Sequence, residues 1–210
     1  MNKVALFFSY LFHPLFLPII VTYLFFNRLL MTNPAFGWIV YGIIFFNTLL
    51  LPYLFYRYVS KKKALKPNSE KKIIILSLVF NLYCYTLVAA LLKYFGLGVY
   101  VESFFFSIVV ITLVALVVNF FWKISLHLLA MGGVAGFILS YVFFFNVNIL
   151  SVFYGVLLIA ALIAASRLVL NAHTPAQIYA GFLVGVGLTM LTTYLNLLYY
   201  FSHYFNQMPA

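Results

Sequence analysis

Ser166-Arg167-Leu168-Val169-Leu170-Asn171-Ala172-His173-Thr174-Pro175-Ala176-Gln177 is a short polar island between two long apolar runs. The run before it extends over about residues 149–165, and the one after it opens at Pro175 and fades beyond Tyr200. Each approaches the roughly 20 residues that a helix needs to cross the hydrocarbon core of a bilayer. Proline suits the first position of a helix, where its missing N–H is no loss. The island therefore reads as the end of one membrane helix and the start of the next. An arginine closing the first helix and a histidine six residues on are more than a turn requires, and they make the island the candidate site.

The rest of the chain has the same apolar character. Of its 210 residues 67% are hydrophobic and only 7% charged, with a mean hydropathy of +1.14. An average soluble domain is about 45–50% apolar and 25% charged. The composition specifies an integral membrane protein, and the apolar runs specify an all-α polytopic membrane helical bundle of about six to seven transmembrane helices. The runs cover about residues 4–30, 35–59, 73–94, 103–122, 123–145, 149–165 and 175–200, with a tight Asn146-Val147-Asn148 turn between the fifth and sixth. His13-Pro14 and Pro18 interrupt the first, which predicts a short interfacial helix followed by a span. The apolar stretch after Met1-Asn2-Lys3 continues to Leu30 without a small-residue cleavage site, so a retained first helix is expected. The single Cys84 sits inside an apolar run and forms no intrachain disulfide.

The net charge of +10 is concentrated in the 60–72 loop, beside lipid headgroups, and is assigned to topology and phosphate and not to nucleic acid. If seven spans alternate, Lys3, Arg57, Lys61, Lys62, Lys63, Lys66, Lys71, Lys72, Lys123 and Arg167 fall on one side, with only Arg28 and Lys93 on the other. Basic loops are retained in the cytoplasm, which puts the N-terminus and the 60–72 loop there. Whatever the orientation, an even number of spans places the 60–72 loop, the 123–127 segment and the island on one face. Gly132/Gly136, Gly181/Gly185 and the stripes Ala160/Ala164 and Ala161/Ala165 predict close helix approach. The fifth, sixth and seventh helices are expected to form a tight core that holds His127 near His173. Asn47, Asn81 and Asn119 read as interhelical hydrogen-bonding residues.

Ionisable residues at membrane depth are costly and default to functional candidates. Lys123, Ser125 and His127 open one helix, and Arg167 and His173 flank the junction of two others on the same face. Fixed cations, a hydroxyl and two imidazoles are what the binding and hydrolysis of a phosphomonoester need. One histidine attacks phosphorus and the other protonates the leaving alcohol, tasks that suit a group titrating near neutrality. His13 falls in the same leaflet, either turned toward the other two by Pro14 or bonded to a carbonyl that the proline frees.

Ser166-Arg167-x5-His173-x3-Gln177 resembles the third signature of the type 2 phosphatidic acid phosphatase and vanadium haloperoxidase superfamily, Ser-Arg-x5-His-x3-Asp. Ser125-Leu126-His127 resembles the second, Pro-Ser-Gly-His, in its serine and histidine. The first signature, Lys-x6-Arg-Pro, has no match; Lys66, Lys71 and Lys72 supply charge there without the spacing. The resemblance covers roughly residues 60–195. It implies His173 as a nucleophile forming a phosphohistidine and His127 as general acid. Arg167 and Ser125 would bind phosphate oxygens, with Ser166, Lys123, Lys71 and Lys72 as further phosphate contacts and Gln177 orienting His173. No metal or other cofactor is implied.

On this reading residues 1–59 are N-terminal membrane helices and 60–210 a lipid-phosphatase-like core, within one membrane domain. The implied function is an integral membrane lipid phosphatase, a phosphoric ester hydrolase of lipid metabolism in a bacterial inner membrane. Its substrate would be a lipid phosphate monoester or pyrophosphate of the phosphatidic acid, phosphatidylglycerophosphate or polyprenyl diphosphate type. The sequence departs from the signatures at Gln177, where they have aspartate, and at Leu126, where they have glycine. Those departures define the alternative, a catalytically degenerate membrane protein that binds anionic lipid or scaffolds a partner.

Overall fold

A computed structural model describes residues 3–63, 69–145 and 149–205. Lys66 and the Asn146-Val147-Asn148 turn lie outside the described residues. The described chain is all-α: α1 (Lys3–Leu11), α2 (Leu17–Val21), α3 (Asn27–Leu30), α4 (Pro34–Ile44), α5 (Leu51–Lys63), α6 (Ser69–Tyr94), α7 (Val99–Phe121), α8 (Leu126–Phe145), α9 (Leu150–Val169) and α10 (Pro175–Phe205). Among the described residues seven helical stretches are long and apolar enough to cross a membrane. They are Lys3–Leu30, Pro34–Lys62, Glu70–Tyr94, Val99–Phe121, Leu126–Phe144, Leu150–Val169 and Pro175–His203. The protein is a multi-pass helical membrane bundle.

Two boundaries differ from the expectation. α5 runs on through Ser60-Lys61-Lys62 to Lys63, and α6 already begins at Ser69, so most of the expected basic loop is helical. Lysine is a good helix former, and its long stem carries the charge to the interface. α9 likewise continues through Ser166-Arg167 to Val169, so the island begins inside a helix. A cation in the last turn of a helix is favoured by the helix dipole.

The N-terminal stretch is broken where its prolines lie. α1 ends at Leu11, and a 3-10 turn over Pro14–Phe16 leads into α2. Wider π turns occupy Thr22–Phe26 and Phe45–Leu50, just after Pro18 and just before Pro52. The Thr22 hydroxyl donates to the Pro18 carbonyl at 2.7 Å, and the Asn47 amide donates to the Ile43 carbonyl at 2.9 Å. Asn119 similarly bonds the Ala115 carbonyl of its own helix, so Asn47 and Asn119 are satisfied locally and not between helices. Polar contacts between α7 and α10 are made by other residues. Ser107 meets Thr192 at 2.6 Å, Asn196 donates to Ser103 at 2.8 Å, and the Tyr200 hydroxyl bonds Glu102.

The tightest packing joins α8 and α10, which run parallel. A Cβ on Gly132 or Gly136 would meet the backbone of Phe182 or Val186, and one on Gly181 or Gly185 would meet the backbone of Ser125 or Leu129. With no hydrophobic drive between helices in lipid, such backbone-to-backbone approach is what holds a pair together. The expected three-helix core is corrected here. α9 packs on α8 and α1 and makes no substantial contact with α10 among the described residues. Of its alanine stripes Ala160 is buried, whereas Ala161 and Ala165 are exposed on the outer surface.

Candidate functional site

The island is a helix-stop and helix-start joined by three residues, Asn171, Ala172 and His173. Leu170 closes α9, Asn171 takes a left-handed conformation at φ 51°, and two reversed hydrogen bonds seal the end. The Asn171 N–H donates to the Leu168 carbonyl at 2.9 Å and the Ala172 N–H to the Arg167 carbonyl at 3.1 Å. This is the paired closure that satisfies carbonyls left over at a helix C-terminus, and asparagine tolerates the left-handed position. α10 then opens with Thr174, Pro175, Ala176 and Gln177 as a reciprocal cap. The Gln177 N–H donates to Thr174 Oγ1 at 3.4 Å, and Gln177 Oε1 accepts from the Thr174 N–H at 3.1 Å. Thr-x-x-Gln is a sequence pattern for such a cap. Thr174→Ala should cost about 1 kcal/mol of stability, read as a lower thermal midpoint in detergent with the helical content unchanged.

That cap fixes the chemistry of His173. Gln177 Oε1 also lies 3.2 Å from His173 Nδ1. A backbone N–H can only donate, so the Gln177 atom it meets is the oxygen, and Nδ1 must donate to it as well. His173 therefore carries its proton on Nδ1 and presents a bare Nε2. Burial, and after it the Arg167 guanidinium with a smaller contribution from Lys123, holds this imidazole below its ordinary value of 6.5; the Gln177 hydrogen bond and Glu70 pull the other way. The neutral form thus persists to more acidic pH than for a free histidine.

The opposite wall is the start of α8. The Ser125 N–H donates to the Gln177 carbonyl at 3.3 Å, which locks the start of α8 to the start of α10. Two residues on, His127 Nε2 lies 3.1 Å from the Ser9 carbonyl. That carbonyl is free because the break in the first span diverts the chain: the His13 N–H bonds Tyr10 at 3.3 Å, leaving Ser9 without its helical partner. His127 thus fills the carbonyl that His13 was one candidate to take. Arg167 Nη1 donates to Ser9 Oγ at 2.9 Å, so one N-terminal residue positions both groups. His13 lies against His127 with ring centroids 5.4 Å apart and planes at 83°.

All of this surrounds one cavity of about 850 Å³, within the usual range of about 300–1,000 Å³ for ligand sites. Its polar end is lined by His13, Glu70, Lys123, His127, Arg167 and His173. Its body is lined by apolar residues including Phe104, Ile108, Ile111, Leu129 and Val134. Phe104 and Asn119, both on its wall, are about four turns apart on α7, or about 22 Å at 1.5 Å per residue. No family model, curated protein or solved structure matches the chain.

Of the residues chosen from sequence, His127, His173, Arg167 and Lys123 line the cavity. Lys123 is ion-paired to Glu70 at 2.9 Å. Lys71 donates to the Phe120 carbonyl at 2.8 Å and lines a smaller neighbouring pocket, while Lys72 is exposed and lines neither. Ser166 is buried, with its hydroxyl on the Leu162 carbonyl at 2.8 Å. Ser125 is fully buried and its hydroxyl has no partner among the described residues; it lies off the cavity wall that its neighbours Ile124 and Leu126 form. Gln177 acts through His173. Among the described residues no group of three His, Cys, Asp or Glu side chains converges as metal ligands. Ser9 and Glu70 were not singled out from the sequence, and nothing local marks Ser9. Glu70 carried one signal, as an acidic residue in the basic 60–72 loop.

Proposed function

We propose that the chain is a membrane phosphatase that removes phosphate from a lipid phosphate monoester or pyrophosphate. The observation that carries this reading is that His127, Arg167 and His173 share the polar end of a cavity whose body is mostly apolar, with Asn81, Ser107, Thr112 and Thr189 among its lining, and reaches deep along α7. An amphiphile with a phosphate head fits that division. The resemblance of Ser125-Leu126-His127 and Ser166–Gln177 to superfamily signatures supports the same chemistry.

In this mechanism the Arg167 guanidinium holds the non-bridging oxygens, and the bare Nε2 of His173 attacks phosphorus. The N–P bond forms as the P–O bond to the lipid breaks. The departing oxygen takes a proton that His127 Nδ1 relays from the monoanionic phosphate head, since its Nε2–H is committed to Ser9. Water then attacks phosphorus, the N–P bond breaks, and His127 Nδ1 takes the water's proton as inorganic phosphate leaves.

Gln177 is compatible with this cycle. In the serine-protease template an amide in place of the carboxylate costs about 10⁴ in rate because it imposes the wrong tautomer. Here Thr174 holds the amide oxygen toward His173, so the tautomer is right and only the charge is missing. Gln177→Asp should raise turnover about tenfold and move the acid limb of the rate profile to higher pH, because a carboxylate raises the His173 pKa. In the unaltered protein that limb should lie below 6.5, since the His173 pKa is lowered.

The test is phosphate release by the purified protein from a panel of phosphatidic acid, phosphatidylglycerophosphate and polyprenyl diphosphate. A second reading, an anionic-lipid-binding or scaffolding protein without turnover, draws on Lys123 and Lys71, whose ammonium groups are taken up by Glu70 and the Phe120 carbonyl. Saturable lipid-phosphate binding with no release would favour it.

A further inference from the structure

The N-terminal segment lies outside the signature resemblance, yet His13 lines the polar end of the cavity beside His127. Its backbone is extended, at φ −66° and ψ 137°, and it caps the 3-10 turn at Pro14–Phe16. In that role His13 Nδ1 accepts the Leu15 N–H at 3.3 Å. An accepting nitrogen carries no proton, so the neutral ring has its N–H at Nε2. That N–H has no hydrogen-bond acceptor among the described residues. Arg167 lines the same cavity, with Nη1 donating to Ser9 Oγ. An unused neutral donor and a cation therefore meet at one cavity end.

We propose that His13 is a third histidine of the site and binds the phosphate head as a neutral hydrogen-bond donor through Nε2–H. This deepens the phosphatase reading and rests on it. The ligand class is a tetrahedral oxyanion, either the phosphate of a lipid or inorganic phosphate. A neutral donor suits a pocket where Arg167 already supplies the positive charge, because it adds a directed bond without a second cation to desolvate. It also supplies a phosphate contact where the first signature is missing: Lys71 and Lys123 are occupied elsewhere, and the break at His13-Pro14 brings the replacement from the first span.

The experiment uses the full chain in nanodiscs with ¹⁵N-labelled histidine rings, titrated with inorganic phosphate, with orthovanadate, and with a short-chain lipid phosphate. Two variants separate binding from folding. His13→Ser retains a good capping residue for the Leu15 N–H but is too short to reach the anion. His13→Gln carries an amide N–H out to about the Nε2 position. The ring of His13 should report a proton on Nε2, and that resonance should move on adding phosphate. His13→Ser should weaken phosphate binding about tenfold, and His13→Gln should recover most of the loss, with the thermal midpoint of His13→Ser close to the parent. Response to the lipid but not to the free ions would assign the ligand as a lipid headgroup. A His13 resonance that stays still while His173 shifts, or equal affinity in His13→Ser, overturns the role of His13 and leaves the phosphate site standing. No response from any histidine to any of the three ligands removes the phosphate site and His13's role together.

Discussion

His173→Ala should lower phosphate release by at least about 10⁴-fold, the loss expected when a nucleophile is removed and only binding groups remain. The fold should survive. His173 sits at the junction of α9 and α10, only partly buried, and its side chain bonds an oxygen that the Thr174 N–H continues to hold. The thermal midpoint should therefore move little while turnover disappears. His127→Ala offers the contrast, since it strands the Ser9 carbonyl inside the bundle and should lower both activity and stability. Steady-state rates on the best lipid phosphate, with melting curves for both variants, check the pair. Parent-like turnover in His173→Ala would remove the nucleophile.

Gly185→Ala should be among the most destabilising single changes in the chain. The added methyl would meet the Leu129 carbonyl and lie 2.8 Å from the Gly133 nitrogen, both backbone atoms that no rotamer change relieves. Overpacking of a close interface costs about 1–3 kcal/mol even where side chains can adjust, and here α8 and α10 must separate. Gly187→Ala, two residues on, meets no other packed atom within 4 Å of its new methyl among the described residues and serves as the control. The expected outcome is a large fall in thermal midpoint and yield for Gly185→Ala with little change for Gly187→Ala. Activity should fall with it, because the same pairing ties the Ser125 N–H to Gln177 and so sets His127 against His173.

These two outcomes depend on features that were differently visible in the sequence. Membrane spans are written as long apolar runs, so the seven spans and the one face shared by Lys123, His127, Arg167 and His173 follow from counting. The glycine pairs at Gly132/Gly136 and Gly181/Gly185 are also legible, because only a missing side chain allows that approach. Which helices they join was not fully legible: the alanines of α9 have the same spacing, and Ala161 and Ala165 face outward. Helix ends were read too early at Val59 and Ala165, since lysine and arginine look like loop residues yet extend helices well. The Thr174–Gln177 cap was readable from its spacing, but the signature's aspartate drew attention to what Gln177 lacks. The role of Ser9 could not be read from the sequence. It arises from a carbonyl freed at the His13 break and from two partners 118 and 158 residues away.

Rapid quenching of the protein during turnover of a lipid phosphate, followed by mass spectrometry under alkaline conditions, tests the phosphatase reading most directly. The expected result is phosphate on the Nε2 nitrogen of His173, absent in His173→Ala and formed more slowly in His127→Ala. Release of phosphate at the parent rate with no phosphate ever found on His173 would contradict it.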